Sequence, residues 1–355
     1  MLKKLFLFSL IIYVLPAIAQ GKQFKVHTIA FYNVENLFDT INDSGKSDDD
    51  YLPKGKESWT GEKYKTKLAN IARVLSEIGT DENNDAPAII GLSEIENRRV
   101  LEDLVKQPSL ITKEYGILHF DSPDSRGIDV ALLYRKKHFK PTSYVNKPLI
   151  IKDSLSTDKK EVGKKKKQPP RLLTRDQLLV TGLLDGEEMH FIVNHWPSRY
   201  GGEKKSSPNR EAAAVLNRKI IDSLYRINPN AKVVTMGDFN DGPYNNSIKK
   251  VLGAKGLKED VKPGGLYNPM EDIARKGNGS VAYRDAWDLF DQMIITEPFL
   301  SKDYTSFRFW KAKVFNKDYL TQPSGQYKGY PLRNAHGEAG YSDHFPVYLY
   351  LIKQM

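Results

Sequence analysis

The 355-residue sequence contains no cysteine. That absence excludes structural disulfides, thiol catalysis and a lipid-modified Cys behind a leader. Long apolar runs are scarce as well. The stretch Leu5 to Leu15 is apolar, but a bilayer crossing needs about 20 such residues. No repeat, long linker or low-complexity boundary divides the chain. The acidic triplet Asp48-Asp49-Asp50 lacks the spacing of a calcium loop and reads as solvated surface. Neither an aromatic hairpin nor an amphipathic helix reads as membrane-docking.

What is present begins with a leader. Lys3 and Lys4 precede the apolar stretch, and Ala17-Ile18-Ala19 forms a small-x-small cleavage site. The expectation is a signal peptide over residues 1–19, an exported protein without a stable membrane anchor, and one domain over 20–355. Loss of the two leader lysines lowers the formal charge from +10 to +8. A basic surplus suits an anionic partner without locating its site. The densest patch, Lys159-Lys160 with Lys164 to Lys167, reads as a solvated loop or as a phosphate-tracking one.

The informative stretch is Val233-Val234-Thr235-Met236-Gly237-Asp238-Phe239-Asn240-Asp241. A β-branched run that stops at Gly237 reads as a buried strand. Asp238 and Asn240 then follow at alternate positions, so period-two geometry points both to one side. A carboxylate and a carboxamide so placed can bind a cation, a water and a phosphoryl oxygen.

Other strand-like runs also end in polar residues. Phe24 to Phe31 delivers Asn33, Glu35, Asn36 and Asp39, which equally well make a turn. Ala88 to Leu92 ends in Ser93-Glu94-Ile95-Glu96-Asn97, and local spacing does not choose between the two glutamates. Met189 to Val193 ends in Asn194-His195-Trp196-Pro197-Ser198-Arg199. His195 is either a core histidine or a catalytic one. Ile128 to Tyr134 and Gln177 to Leu184 face an ordinary core. Arg175 precedes the latter, placed for a phosphate or for a salt bridge. Asp291-Gln292-Met293-Ile294-Ile295 opens with a carboxylate. Ser342-Asp343-His344 precedes a last strand, Phe345 to Leu351, and Asp291 is able to orient His344 by accepting its ring N–H. Between the strands, Tyr64, Leu68, Ile71, Leu75 and Ile78 form a helical stripe over Gly61 to Ile78. Ser207 and Pro208 predict the start of a second helix reaching about Tyr225.

These stretches in this order resemble the endonuclease/exonuclease/phosphatase superfamily. The carrying segments are Phe31-Tyr32-Asn33-Val34-Glu35-Asn36, Gly91-Leu92-Ser93-Glu94, Asn194-His195, Gly237-Asp238-Phe239-Asn240, Asp291-Gln292-Met293 and Ser342-Asp343-His344-Phe345-Pro346-Val347. The resemblance covers about residues 25 to 352. It implies an α/β fold, a four-layer α/β/β/α sandwich of two mixed sheets with outer helices. It further implies a hydrolase of phosphate esters that uses Mg²⁺ or Mn²⁺, held by Glu94 and Asp343 with Asn33. Glu94, rather than Glu96, matches the metal-binding glutamate. Asp238 would orient or deprotonate the attacking water, and Asn240 would bind a phosphoryl oxygen. His344, held by Asp291, would contact the phosphate and move a proton. His195 would serve the phosphate or the leaving oxygen, and Arg175 matches a phosphate-contacting arginine of some members. Ser93 and Gln292 depart from the commonest family residues, which is expected to alter substrate contacts. The stretch from Asn194 to Glu211, with Gly201-Gly202 and Lys204-Lys205, reads as a basic substrate-facing loop. The expected substrate is a phosphodiester of nucleic acid. A phosphoesterase for lipid headgroups or small phosphate esters, and a binding protein without chemistry, are the rival readings.

Overall fold

Along the strand Phe24–Leu37, Ile29 and Phe31 point one way while Ala30 and Tyr32 point the other, and all four are buried. A strand buried on both faces requires a packing layer on each side. The same holds for Val233–Asp238, where Val234 and Met236 face one core and Val233 another. The computed structural model describes residues 23–152, 171–335 and 338–355, and shows how those layers are filled. The leader and the Lys159–Lys167 patch lie outside the described residues.

Two mixed sheets face each other. One has six strands in the spatial order Arg308–Val314, Val347–Gln354, Phe24–Leu37, Ile89–Ile95, Asp129–Arg135, Tyr115–His119. The other has seven, in the order Ala254–Lys255, Leu266–Tyr267, Asp291–Thr296, Val233–Asp238, Glu187–His195, Gln177–Leu184, Phe139–Lys147. Phe24–Leu37 runs parallel to Ile89–Ile95, and Val233–Asp238 parallel to Glu187–His195; most other neighbours are antiparallel. The inner faces share one apolar core, with Phe31, Ile89 and Leu132 meeting Phe191, Val193 and Met236. On the first sheet's outer face lies the helix Gly61–Glu77, packing Leu68, Ile71 and Leu75 against Tyr32, Ile90 and Leu92. The helix Glu203–Ile227 covers the second sheet, with Ala213, Ile220 and Ile221 against Ile192, Val233 and Ile294. The result is the expected four-layer α/β/β/α sandwich.

The second helix begins earlier than Ser207. Gly201 and Gly202 adopt φ of +80° and +106°, where a side chain would be strained, and this turns the chain into the helix at Glu203. Pro208 therefore sits inside the helix. Lys204 and Lys205 belong to its first turns rather than to a substrate-facing loop.

Candidate active site

Three strand ends of the seven-stranded sheet lie side by side. Asp238 is paired in register with His195 on one neighbour and with Asp291 on the other. In the facing sheet, Asn33 pairs with Ser93, directly before Glu94. The pairing register breaks here, between Asn33 and Leu37 on one strand and between Ser93 and Ile95 on the other. Glu35, Asn36, Glu94 and Asn240 have φ between +50° and +63°. Non-glycine residues take that conformation only where the surroundings hold them there. Ser342 ties the last motif to the first, its Oγ donating to the Asn33 carbonyl at 2.7 Å and accepting the His344 N–H at 3.0 Å.

Asn33 joins the two sheets at the site. Its Nδ2 donates to Glu94 Oε1 at 3.3 Å and to Asp238 Oδ2 at 3.1 Å. Its Oδ1 accepts the Glu35 N–H at 3.0 Å. The Asn36 N–H holds Glu94 Oε2 at 2.9 Å, and the Asn240 N–H holds Asp238 Oδ1 at 2.8 Å. His195 Nε2 lies 3.6 Å from Asp238 Oδ2 and 3.9 Å from Glu94 Oε1. His344 donates from Nδ1 to Asp291 Oδ2 at 2.6 Å, and its Nε2 lies 3.9 Å from Asp238 Oδ2 and 4.0 Å from Asp343 Oδ1. Asn33, Glu94, His195, Asp238, Asp291, Asp343 and His344 thus converge as the sequence predicts.

The electrostatics separate the two histidines. Burial pushes the His195 imidazole well below its ordinary pKa, and Arg175, Arg126 and His344 push it further down. Burial acts on His344 in the same direction, but Asp291, Asp238 and Asp343 together outweigh it and raise that imidazole well above 6.5. The surroundings thus push the two imidazoles in opposite directions, a separation of the kind that sorts acid from base. Burial raises Asp238, with Asp291 and Glu94 adding to it against the pull of His344, to about 6. Crowded carboxylates with too little positive charge are the condition a bound divalent cation relieves.

The donor set fits such a cation. Glu94 and Asp343 present carboxylate oxygens, with side chains 15% and 32% exposed, and hard oxygen donors suit Mg²⁺ or Mn²⁺. Asp238, Asp291 and His344 also bring ligand-type atoms within 4.8 Å of one another. Within this trio, Asp291 is already engaged by the ring at 2.6 Å. Asn33 turns its amide nitrogen towards the expected ligand Glu94 and towards Asp238. The Glu35 N–H holds its amide oxygen.

Arg175 does not face a phosphate. It is buried, with Nη1 on Asp124 at 2.9 Å, Nε on the His195 carbonyl at 3.2 Å and Nη2 on the Trp196 carbonyl at 2.7 Å. The salt-bridge alternative describes it; it braces the backbone that carries His195. Asn240 gives an Nδ2 hydrogen to the Trp196 carbonyl at 3.0 Å and sits at the site's margin. The two departures from the family pattern are both buried side chains. Ser93 is fully buried, and Gln292 bonds Asn268 and the Asp241 carbonyl at 2.7 Å each.

Sequence reasoning named Glu35 without giving it a role and passed over Lys67 and Arg333. Glu35 is buried, accepts the Asn334 N–H at 2.8 Å and lies 3.4 Å from Arg333. Lys67 is fully buried, donates to the Tyr341 carbonyl at 2.8 Å and lies 3.9 Å from Glu35. A signal for Lys67 existed: it stands three residues after Tyr64 and four before Ile71, on the apolar stripe itself. Arg333, 3.8 Å from Asp343, belongs to a loop with no periodicity to mark it.

Solved structures share this architecture at low identity. An endonuclease/exonuclease/phosphatase family protein from Bacteroides thetaiotaomicron matches with TM-score 0.55 and 17% identity, over 94% of this chain and 98% of that one. D. rerio TDP2, complexed with a single-strand DNA product, gives 0.52 and 16%, over 92% and 98%. The mannosyl-6-phosphatase Bt3783 of Bacteroides thetaiotaomicron gives 0.51 and 16%, over 92% and 99%. At these identities the likeness shows the fold. No curated relative matches the sequence. The model of the endonuclease/exonuclease/phosphatase family, by contrast, matches residues 28–353. With that span covered and its metal-type carboxylates and paired histidines assembled at one end of the sandwich, the chain belongs to the endonuclease/exonuclease/phosphatase family, hydrolases of phosphate esters.

Proposed function

We propose that this protein is an exported, metal-dependent phosphodiesterase that hydrolyses nucleic acid. The observation that carries the chemistry is the His344–Asp291 bond of 2.6 Å beside Asp238, with Glu94 facing it across Asn33. Phosphoryl transfer needs positioning and neutralisation of charge more than covalent chemistry. Asp238 orients the attacking water and takes its proton as the water oxygen bonds to phosphorus. His344, held as a cation by Asp291, neutralises a phosphoryl oxygen. Neutral His195 donates a hydrogen bond on the same side. The leaving oxygen departs with the P–O bonding pair, takes a hydrogen bond from His195 and is protonated from solvent. A divalent cation at Glu94 and Asp343 supplies further neutralisation of the phosphoryl charge.

The basic surplus supports a polyanionic substrate, as does a similar fold binding a single-strand DNA product. The leader-like residues 1–19 support export, and among the described residues no helix is long and apolar enough to cross a membrane.

The test is nicking of plasmid DNA by the mature chain with Mg²⁺ or Mn²⁺, against EDTA and the Asp238→Ala and His344→Ala variants. Metal-dependent nicking that both variants lose is expected. Intact DNA alongside hydrolysis of bis(p-nitrophenyl) phosphate would replace nucleic acid with a small or lipid phosphoester. Inactivity on both by folded, metal-loaded protein would favour the binding-protein reading.

A further inference from the structure

We propose that the cavity beside Asp343 is a subsite for a nucleobase of single-stranded nucleic acid, stacked on Tyr283 and Tyr327; this rests on the phosphodiesterase reading above. The cavity measures about 640 Å³ and is lined by the hairpin residues Val281 to Asp285, the loop residues Tyr327, Tyr330 and Arg333, and Asp343 itself. That volume suits a small-molecule group such as a nucleoside. Its wall is fastened to the catalytic strand end. Val281 forms a β-bridge with His344, and the Phe345 N–H donates to the Ser280 carbonyl at 2.7 Å.

The loop side of the aromatic wall is braced around Tyr330. Tyr330 Oη accepts the Asp285 N–H at 2.7 Å and donates to Asp285 Oδ1 at 2.8 Å, locking hairpin to loop. Trp287 stacks on Phe345 and meets Tyr330, and Tyr330 meets Tyr327 at 5.6 Å between ring centres. Despite this bracing, Tyr283 and Tyr327 remain 68% and 56% exposed. Arg284 lies over one face of Tyr283, its guanidinium 5.1 Å from the ring centre. Exposed rings with a cation beside them at a phosphate-handling centre fit a base, because every base has a π-face and stacking tolerates any sequence.

Charge decides for a strand over a single sugar phosphate. Arg333 also lines a second cavity of about 920 Å³, which adds Lys56 and Lys63. Lys63 bonds only to the carbonyls of Glu57 and Ser58, at 3.2 and 2.8 Å, so its charge is not matched by a carboxylate. Rings at the Asp343 end and cations leading away from it match a base followed by successive backbone phosphates. Lys56 lies 3.4 Å from Glu57, so the unmatched charge is that of Lys63, and a sugar monophosphate with its one phosphate would leave it without an anionic partner.

The experiment compares two diesters with one leaving group, thymidine 5′-(p-nitrophenyl phosphate) and methyl p-nitrophenyl phosphate. The enzymes are the wild-type holoenzyme, the double variant Tyr283→Ala/Tyr327→Ala and its Tyr→Phe counterpart. The alanine variant is expected to lose about 10-fold in kcat/KM on the thymidine ester, mainly through KM, as loss of one base stack implies. The methyl ester should be unaffected, and phenylalanine should restore the wild-type values. Equal kinetics of wild type and alanine variant on the thymidine ester, or an equal loss on both esters, overturns the subsite while leaving the phosphodiesterase reading intact. A matching rise in KM for a hexose 6-phosphate overturns the nucleobase in favour of a sugar. A wild-type enzyme that cleaves neither diester overturns the underlying reading and the subsite with it.

Discussion

Asp291 has one job that its surroundings make visible. It is fully buried, Oδ2 takes the short bond from His344, and Oδ1 has no hydrogen-bond partner. A lone buried carboxylate is costly unless a nearby cation compensates it. The compensating charge is the His344 imidazolium, which Asp291 does most to keep protonated, with Asp238 and Asp343 adding. Asp291→Asn keeps the size and an acceptor but removes the charge. It should bring the His344 titration, followed by NMR, down towards or below the ordinary 6.5, and lower kcat about 10²- to 10⁴-fold with far-UV circular dichroism unchanged. A variant with more than a tenth of wild-type kcat would contradict this role. The residue itself was legible in the sequence, as a carboxylate opening a strand. Its partnership was only a possibility there, because 53 positions separate it from His344 and only the completed sheets bring them together.

At the scale of elements, the helix Gly61–Glu77 shows how a regular pattern both reveals and hides function. Its apolar stripe was plain, and the structure places Leu68, Ile71 and Leu75 in the outer core as the spacing requires. Periodicity scores Lys67 as a flaw in that stripe, yet the side chain is fully buried and reaches Glu35 near the metal-type carboxylates. Burial lowers the Lys67 ammonium and raises the Glu35 carboxyl, each opposed by attraction to the other. Removing one member of a buried pair strands the other. Lys67→Met should therefore destabilise by about 3–5 kcal/mol in urea unfolding. Adding Glu35→Gln, which still accepts the Asn334 N–H, should recover most of that loss. Additive losses in the double variant would show that the two do not interact. The strand ends were readable because period two and the Gly-Asp-Phe-Asn stop are local features. The start of the helix at Glu203 was not, since Ser207-Pro208 imitates a helix start while Gly201-Gly202 makes the actual turn.

Across the whole molecule, the same end of the sandwich carries a second concentration of acid whose effect is on stability. Glu96 accepts the Asp39 N–H at 2.6 Å and is pushed up to about 8, by burial first and then by Asp39, Asp43 and Asp48. The folded state therefore binds a proton more tightly than the unfolded chain does. The associated stability is fully present below the ordinary glutamate pKa of about 4.3 and is lost as pH rises through about 8. Glu96→Gln should flatten that dependence and raise Tm above pH 8 by about 1–2 °C for each kcal/mol recovered in a chain of this size. An unchanged pH profile would refute it. The architecture was legible because strands buried on both faces demand layers. The inter-sheet contacts were not, since Asn33 and Asp238 stand 205 positions apart. The central claim is that residues from both sheets form one hydrolytic centre around Asp238. The most direct measurement is kcat for bis(p-nitrophenyl) phosphate by wild type and Asp238→Asn at saturating Mg²⁺, with a thermal melt of each. The account predicts a fall of about 10²- to 10⁴-fold with cooperative melting retained; a folded Asp238→Asn variant within about 10-fold of wild type would contradict it.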